Sequence, residues 1–211
     1  MTSLEPTMPL ILASNSAARQ SMLCRAGLDF TVVPSDLDES ALKMKLQRQD
    51  TPAPAREIAA ALARAKAHSV AQGHPDALVI GADQVLFAEG ELFNKAADPA
   101  AAAAALKRLA GRCHKLHAAV CVMRGEKLLW QHCETANMWM RLLSDDFIAG
   151  YLDRAGAEVL WSAGCYKIEG LGVQLFDRID GDYFTILGLP LLPLLAFLRT
   201  QAEGSRESTW Q

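Results

Sequence analysis

An acid and an amine, Asp83 and Lys95, lie close together in a segment where short apolar runs alternate with small residues. The run from Ala77 to Ile80 is long enough for one buried strand, and Asp83 follows it after Gly81-Ala82. A second run, Val85 to Ala88, leads through a Glu-Gly-Glu turn towards Lys95, which predicts a hairpin. Carboxylates just past the carboxyl end of a buried strand often do chemistry in α/β proteins. The segment therefore predicts either an acid–base pair at one end of a sheet or an unrelated surface acid and surface lysine.

A candidate anion site lies near the beginning of the chain. Pro9 to Ala13 is typical of a buried strand, and Ser14-Asn15-Ser16 then offers N-cap side chains for a helix over Ala17 to Ala26. Free backbone N–H groups at such a helix start attract phosphate, and Arg19 in the first turn would strengthen that attraction. An ordinary capped helix explains the same pattern.

Two further segments carry charge where a site could use it. The acidic loop from Ser35 to Glu39 holds carboxylates that either are solvated or bind a hard cation such as Mg²⁺. In the helix predicted over Ala55 to Ala71, Lys66 lies on the apolar stripe formed by residues spaced four apart. Its ammonium group either reaches the helix edge or points into a cleft.

The remaining elements have to position these groups. We predict a helix from Asp98 to Leu109, a hairpin of two long strands over His114 to Met123 and Lys127 to Met140, and a helix from Ser144 to Arg154. A glycine-rich segment follows in which Lys167 and Glu169 are two apart, which predicts a shared strand face. A closing helix is predicted over Leu189 to Thr200. The positions of Trp130, Met138 and Trp139 fit either a core or a dimer surface.

Composition narrows the class of protein. The chain has 211 residues, of which 51% are hydrophobic and 21% charged, as in ordinary globular proteins. A net charge of −3 does not indicate a broad nucleic-acid surface. The five cysteines contain no CxxC pair, which predicts a reducing cytoplasm rather than a disulfide framework or a zinc site. No apolar run is long enough for a signal or membrane segment, so no membrane partner is expected.

Seven short motifs, taken in order along the chain, resemble the Maf proteins, a family of nucleoside triphosphate pyrophosphatases. They are Ser14…Arg19, Asp38-Glu39, Leu62-Ala63-x-x-Lys66-Ala67, Gly81-Ala82-Asp83, Lys95, Ala163-Gly164-x-Tyr166-x-Ile168-Glu169-Gly170-x-Gly172 and Gly181-Asp182-Tyr183…Gly188-Leu189-Pro190. The resemblance runs from about Leu10 to Arg199. It implies an α/β fold with a long twisted mixed sheet, flanked by helices, and two lobes with a central cleft. We expect one Maf-like domain over residues 9–201, with frayed termini at 1–8 and 202–211.

The resemblance also implies roles for individual residues. Asp83 would be the proton acceptor, and Glu39 and Glu169 would bind a divalent metal such as Mg²⁺ or Mn²⁺ and the water. The triphosphate would be held by four residues, namely Ser14, Arg19, Lys66 and Lys95. The products would be a nucleoside monophosphate and pyrophosphate, a house-cleaning reaction on the nucleotide pool.

Several positions depart from the family pattern. The loop after the first strand has Ala17 and Ala18 where proline and arginine are usual, and Lys95 lacks its usual glycine and proline neighbours. Gln84, Lys167 and Glu169 resemble the branch that acts on 7-methyl-GTP rather than members that hydrolyse dTTP and UTP, but that branch has tryptophan in place of Ala18. The substrate base therefore stays open. So does a second function, a weakly catalytic or non-enzymatic regulator of septum formation.

Overall fold

The computed structural model describes residues 8–48 and 53–207, with side chains as far as Gln201. Its strands are β1 (Leu10–Leu12), β2 (Thr31–Val32), β3 (Leu78–Ala88), β4 (Glu91–Phe93), β5 (Cys113–Arg124), β6 (Lys127–Met140) and β7 (Phe176–Asp180). Its helices are α1 (Ala17–Arg25), α2 (Glu39–Gln47), α3 (Ala55–Ala71), α4 (Pro99–Leu109), α5 (Asp145–Ala155), α6 (Tyr183–Ile186) and α7 (Leu191–Glu207), with short 3₁₀ helices at Ala157–Trp161 and Leu171–Leu175.

The strands form one mixed sheet, which confirms the predicted α/β fold with flanking helices. Within the described ranges the order is β2-β1-β3-β5-β6-β7, with β4 paired to β3. Strand β1 is parallel to both β2 and β3, whereas the β3–β4 and β6–β7 pairs are antiparallel. A parallel pair needs a crossover connection, and α1 and α3 provide helices of that kind between the parallel strands.

The chain divides into two compact units. Within the described residues, the first unit takes in the chain up to Gln84, Ala118–Glu134 and the residues from Gly188 onward, and the second takes in Val85–His117 and Thr135–Leu187. In the first unit, fully buried leucine and isoleucine side chains from β1, α3 and β3 form the core. In the second, the core contains Leu106, Met138 and Ile148 from α4, β6 and α5.

The sequence left open whether Trp130, Met138 and Trp139 belong to a core or to a dimer surface. In the structure each of them makes contacts inside its own unit. Met138 is fully buried, so it belongs to the core of the second unit. The ring of Trp139 lies under the guanidinium of Arg178, and Trp130 stacks on Phe197 with ring centroids 5.2 Å apart.

Several predicted elements are wrong in detail. The apolar runs on either side of Gly81-Ala82-Asp83 form one continuous strand, β3, so Asp83 lies inside a strand and not past its end. Helix α2 occupies a stretch for which no helix was predicted. Lys167 and Glu169 do not share a strand face, because they lie in an irregular segment and turn between the two 3₁₀ helices.

The predicted end of the closing helix needs a correction, whereas the frayed termini stay a prediction. Helix α7 continues to Glu207, beyond the residue at which the predicted helix ended, while residues 1–7 and 208–211 lie outside the described residues. Among the described residues, none of the helices combines the length and apolar character that crossing a bilayer would require.

Candidate active site

Close packing of α3 on β3 builds the centre of the site. A Cβ atom at Gly81 would lie only 2.2 Å from the carbonyl oxygen of Ala63 and 2.7 Å from the Cβ atom of Ala67. Because Gly81 has no side chain, helix α3 approaches the strand closely at this point. This approach brings Lys66, one residue before Ala67, next to Asp83, two residues after Gly81.

Lys66 connects two carboxylates. Its Nζ atom lies 2.6 Å from Oδ1 of Asp83 and 2.8 Å from Oε1 of Glu39. Lys66 is 8% exposed and Asp83 is 4% exposed, so this ion pair is largely removed from water, whereas the side chain of Glu39 is more exposed. Because charges at these distances attract strongly in a buried setting, Lys66 fixes the Asp83 carboxylate in place.

Glu39 reaches Lys66 from the start of α2. Asp38 is the N-cap residue of this helix, and its Oδ1 atom accepts a hydrogen bond from the backbone N–H of Ala41 at 2.9 Å. An acidic residue in the first turn is favoured there by the helix dipole. The cap therefore fixes the helix start that carries Glu39.

The second oxygen of Asp83 is unusual. Oδ2 is buried, and among the described residues it has no hydrogen-bond partner. A buried carboxylate oxygen without a partner costs free energy, so its presence in a folded protein suggests that a ligand supplies the missing contact. An ionised carboxylate can only accept hydrogen bonds, so a water molecule or another donor would suit this oxygen.

Arg19 lies beside this cluster and is 8% exposed. Its Nη1 atom donates to the carbonyl oxygen of Ala82 at 2.8 Å and to Oγ of Ser14 at 3.2 Å, and its Nε atom donates to the carbonyl oxygen of Gly188 at 2.9 Å. Burial lowers the pKa of Arg19, while the negative charges of Asp83 and Glu39 act in the opposite direction. Arginine stays protonated in proteins, so the group is a fixed cation.

The loop before α1 has the predicted capping geometry. Oγ of Ser16 accepts from the backbone N–H of Arg19 at 3.4 Å, and Oγ of Ser14 accepts from the backbone N–H of Ser16 at 3.2 Å. The helix begins at Ala17, so the missing proline and arginine at positions 17 and 18 have not prevented the turn from forming.

Six of the predicted site residues therefore lie in the first unit. Five of them form one linked set of contacts, namely Ser14, Arg19, Glu39, Lys66 and Asp83. The sixth, Gln84, is half-buried, and its Oε1 atom would lie 3.6 Å from a Cβ atom placed on Gly188. The sequence did not indicate the contribution of the Ala82 and Gly188 carbonyl groups, because every residue has a carbonyl group, although both residues belong to motifs that the Maf resemblance rests on.

The other three predicted site residues belong to the second unit. Lys95 is exposed in the segment between β4 and α4. Lys167 is half-buried, and its Nζ atom donates to Oε2 of Glu158 at 2.7 Å, while Glu169 is exposed in a turn. This contact with Lys167 lowers the pKa of Glu158. The roles of Lys95, Lys167 and Glu169 stay predictions.

The donor set in the first unit suits a divalent cation with oxygen ligands. Within the described residues no three histidine, cysteine or acidic side chains form a metal-binding group. However, the carboxylates of Glu39 and Asp83 both contact Lys66, so they lie near each other, and Oδ2 of Asp83 still lacks a partner. A cation of the Mg²⁺ type is usually held by one or two carboxylates together with substrate phosphates, so the Glu39 carboxylate could contribute to such a site.

Comparison with known proteins gives a consistent picture. The family model described as Maf-like protein matches residues 9–201. A protein of Granulibacter bethesdensis named nucleoside triphosphate pyrophosphatase is 49% identical over 192 residues, covering 91% of this chain and 96% of the relative. A protein of Nitrobacter winogradskyi with the same name is 51% identical over 92% of this chain and 94% of the relative. A protein of Mesorhizobium japonicum named 7-methyl-GTP pyrophosphatase is 50% identical over 92% of this chain and 96% of the relative.

Proposed function

Because the chain belongs to the Maf-like protein family, we propose that it is a nucleoside triphosphate pyrophosphatase. It would hydrolyse a nucleoside triphosphate, with either an ordinary or a modified base, to the nucleoside monophosphate and pyrophosphate. The observation that carries the proposal is the unpartnered, buried Oδ2 atom of Asp83, whose other oxygen is fixed by Lys66. Two relatives that match nearly the whole chain, with about half of the aligned residues identical, are named for this activity, which supports the same conclusion.

The proposed reaction uses these residues as follows. A water molecule donates a hydrogen bond to Oδ2 of Asp83 and attacks the α-phosphorus atom. Its proton passes to the carboxylate as the new P–O bond forms, and the bond from the α-phosphorus to the bridging oxygen breaks to release pyrophosphate. Lys66 and Arg19 supply positive charge near the phosphates, where negative charge builds up in the transition state.

A divalent metal such as Mg²⁺ or Mn²⁺ fits this site. Glu39 would hold it in the first unit, and Glu169 is the further ligand that the family resemblance implies. When bound, such a metal orients the phosphates and neutralises part of their charge. Lys95 would contribute a further phosphate contact.

The base preference is proposed at two levels. The broad substrate class is a nucleoside triphosphate, which agrees with the names of two relatives. Within that class Gln84, Lys167 and Glu169 favour a 7-methylated guanine, and one relative is named for that substrate. Ala18 argues against a stacking contact of the kind tryptophan would make, so both modified and ordinary bases belong in the test.

We also propose that the protein acts in the cytoplasm as a house-cleaning enzyme. All five cysteines are free thiols in the structure, which suits a reducing compartment. A homodimer, and the lack of nucleic-acid and membrane partners, stay predictions. The alternative function, a regulator of septum formation without catalysis, is not favoured, because a buried set of opposite charges around an unpartnered carboxylate oxygen has no use in a simple binding surface.

A substrate panel tests the proposal. The protein is incubated with Mg²⁺ or Mn²⁺ and with dTTP, UTP, GTP and 7-methyl-GTP, and both pyrophosphate and nucleoside monophosphate are measured. We expect the two products in equal amounts from at least one substrate. Release of inorganic phosphate with a nucleoside diphosphate, or no turnover of any member of the panel, would contradict the proposal.

A further inference from the structure

The guanidinium of Arg19 is held mainly by backbone carbonyl groups. The Nε–Gly188 and Nη1–Ala82 bonds, with the Ser14 hydroxyl, occupy two of its three nitrogens. The side chain is buried, so these bonds fix the plane of the group with little freedom to rotate. Among the described residues, Nη2 is the nitrogen for which no hydrogen bond is seen, and it is therefore the donor left for a phosphate oxygen.

Gly188 is suited to this contact in two ways. Its φ angle is +94°, a left-handed conformation that residues with a Cβ atom rarely adopt. In this conformation its carbonyl oxygen accepts from Nε of Arg19. A Cβ atom at this position would lie 3.4 Å from Nη2 and 3.6 Å from Nε of Arg19, and 3.6 Å from Oε1 of Gln84.

We propose that Gly188 is a positioning residue for hydrolysis, which acts by fixing the Arg19 guanidinium and keeping its Nη2 atom uncovered. The inference rests on the proposed pyrophosphatase function. Gly188 touches neither the substrate nor the reacting atoms in this scheme, and its whole effect passes through Arg19. The same glycine lies beside Gln84, so its lack of a side chain also leaves space next to the residue whose identity is a clue to the substrate base.

An alanine at this position would act in two ways on Arg19. Relief of the strain at positive φ would rotate the peptide and weaken the carbonyl contact with Nε. The added methyl group would lie against Nη2 and hinder a phosphate oxygen from approaching it. A guanidinium displaced by about 1 Å is enough to lower the rate of a positioned reaction greatly.

The matched control is Gly27, which has a similar backbone angle and lacks the contact. Its φ angle is +77°, it belongs to the same unit, and a Cβ atom there would have nothing within 4 Å. We expect Gly188→Ala to lower kcat/KM for the best substrate of the panel at least about tenfold, and Gly27→Ala to change it less than about twofold. Equal effects of the two substitutions would overturn the proposal.

A double-variant cycle separates positioning from general damage. In an Arg19→Lys background, which keeps the charge but loses the planar fork, Gly188→Ala should lower kcat/KM by less than about twofold, because its target is absent. An undiminished tenfold loss in that background would overturn the inference.

If Gly188→Ala is poorly folded, Gly188→Asn is used instead, since asparagine tolerates positive φ while still placing a side chain beside Nη2. A wild-type protein without turnover would overturn the proposed function and this inference together, whereas an active wild type with equal glycine variants would overturn the inference alone.

Discussion

Nζ of Lys66 lies 2.6 Å from Oδ1 of Asp83, although the two residues are 17 positions apart and belong to different elements. The contact depends on Gly81, where helix α3 comes within a distance of strand β3 that no side chain would permit. The ion pair leaves one carboxylate oxygen occupied by the lysine and the other without a partner. Asymmetry of this kind is what a proton acceptor requires, because the group is fixed through one oxygen and available through the other.

Asp83→Asn should abolish most of the activity while the fold persists. Asparagine can still accept a hydrogen bond from Lys66, but it cannot take a proton from water. We expect a fall in kcat of about 10²–10⁴-fold with a native circular dichroism spectrum. Asp76→Asn is the matched control, because Asp76 is an exposed aspartate just before the same strand, and its activity should equal wild type. Full activity of Asp83→Asn would refute the assigned role.

Gly81→Ala should lower both stability and activity. Its new methyl group would overlap the carbonyl of Ala63, so α3 must shift away from β3. Overpacking of this kind costs about 1–3 kcal/mol of unfolding free energy, and the shift would lengthen the Lys66–Asp83 contact. Urea unfolding measures the first effect and pyrophosphate release the second. Gly73→Ala serves as control, since its methyl group would meet only the Val70 carbonyl oxygen at 3.7 Å; equal stability losses would show that Gly81 is not needed for close packing.

The bounds of α3 were predicted correctly because two kinds of signal agree there. Prolines precede the helix, a glycine follows it, and an apolar stripe runs through Ile58, Leu62 and Val70. That stripe also placed Lys66 on the buried face, although the pattern alone left open where its ammonium group points. The direction of the ammonium group depends on the distance between α3 and β3. Gly81 sets that distance, and the spacing of apolar residues in the sequence does not indicate it.

The errors arise where local pattern and tertiary contact disagree. Helix α2 was not predicted because none of its residues is buried, and Leu42 and Leu46 alone give too short an apolar stripe to indicate a helix. Lys167 and Glu169 have strand-like spacing, but the backbone of Lys167 passes so close to Gly172 that a Cβ atom there would lie 2.5 Å from the Lys167 carbonyl oxygen. A tight turn therefore forms where a strand was predicted. The contacts of Arg19 with backbone carbonyl groups could not be predicted for a different reason, since every residue has a carbonyl group and the sequence does not indicate which of them accept a hydrogen bond.

Glu39→Gln should weaken metal binding more than it weakens folding. The amide keeps the shape of the side chain but removes a negative oxygen ligand, so we expect the Mg²⁺ concentration for half-maximal rate to rise by about tenfold or more. Titration with Mn²⁺, followed by electron paramagnetic resonance without substrate, gives a readout that does not depend on turnover. Glu57→Gln, an exposed change on α3, is the control. Unchanged Mn²⁺ affinity in Glu39→Gln would remove Glu39 from the proposed ligand set.

Acid sensitivity should depend on His114 in the second unit. This side chain is 1% exposed, its Nε2 atom lies 2.7 Å from the Tyr166 hydroxyl, and burial lowers its pKa to about 4. The unfolded chain takes up a proton on this residue near pH 6.5 and the native protein does not until about pH 4, so stability is complete above the first value and falls as the pH drops towards the second.

The expected loss between those pH values is about 3 kcal/mol of unfolding free energy. Urea unfolding at pH 7.5, 6, 5 and 4 measures it. His114→Gln removes the titrating group and should flatten most of this pH dependence, even if the variant is less stable at neutral pH because the Tyr166 contact is weaker. His74→Gln, which changes an exposed histidine, should retain the wild-type slope. A wild-type slope in His114→Gln would show that other groups cause the acid sensitivity.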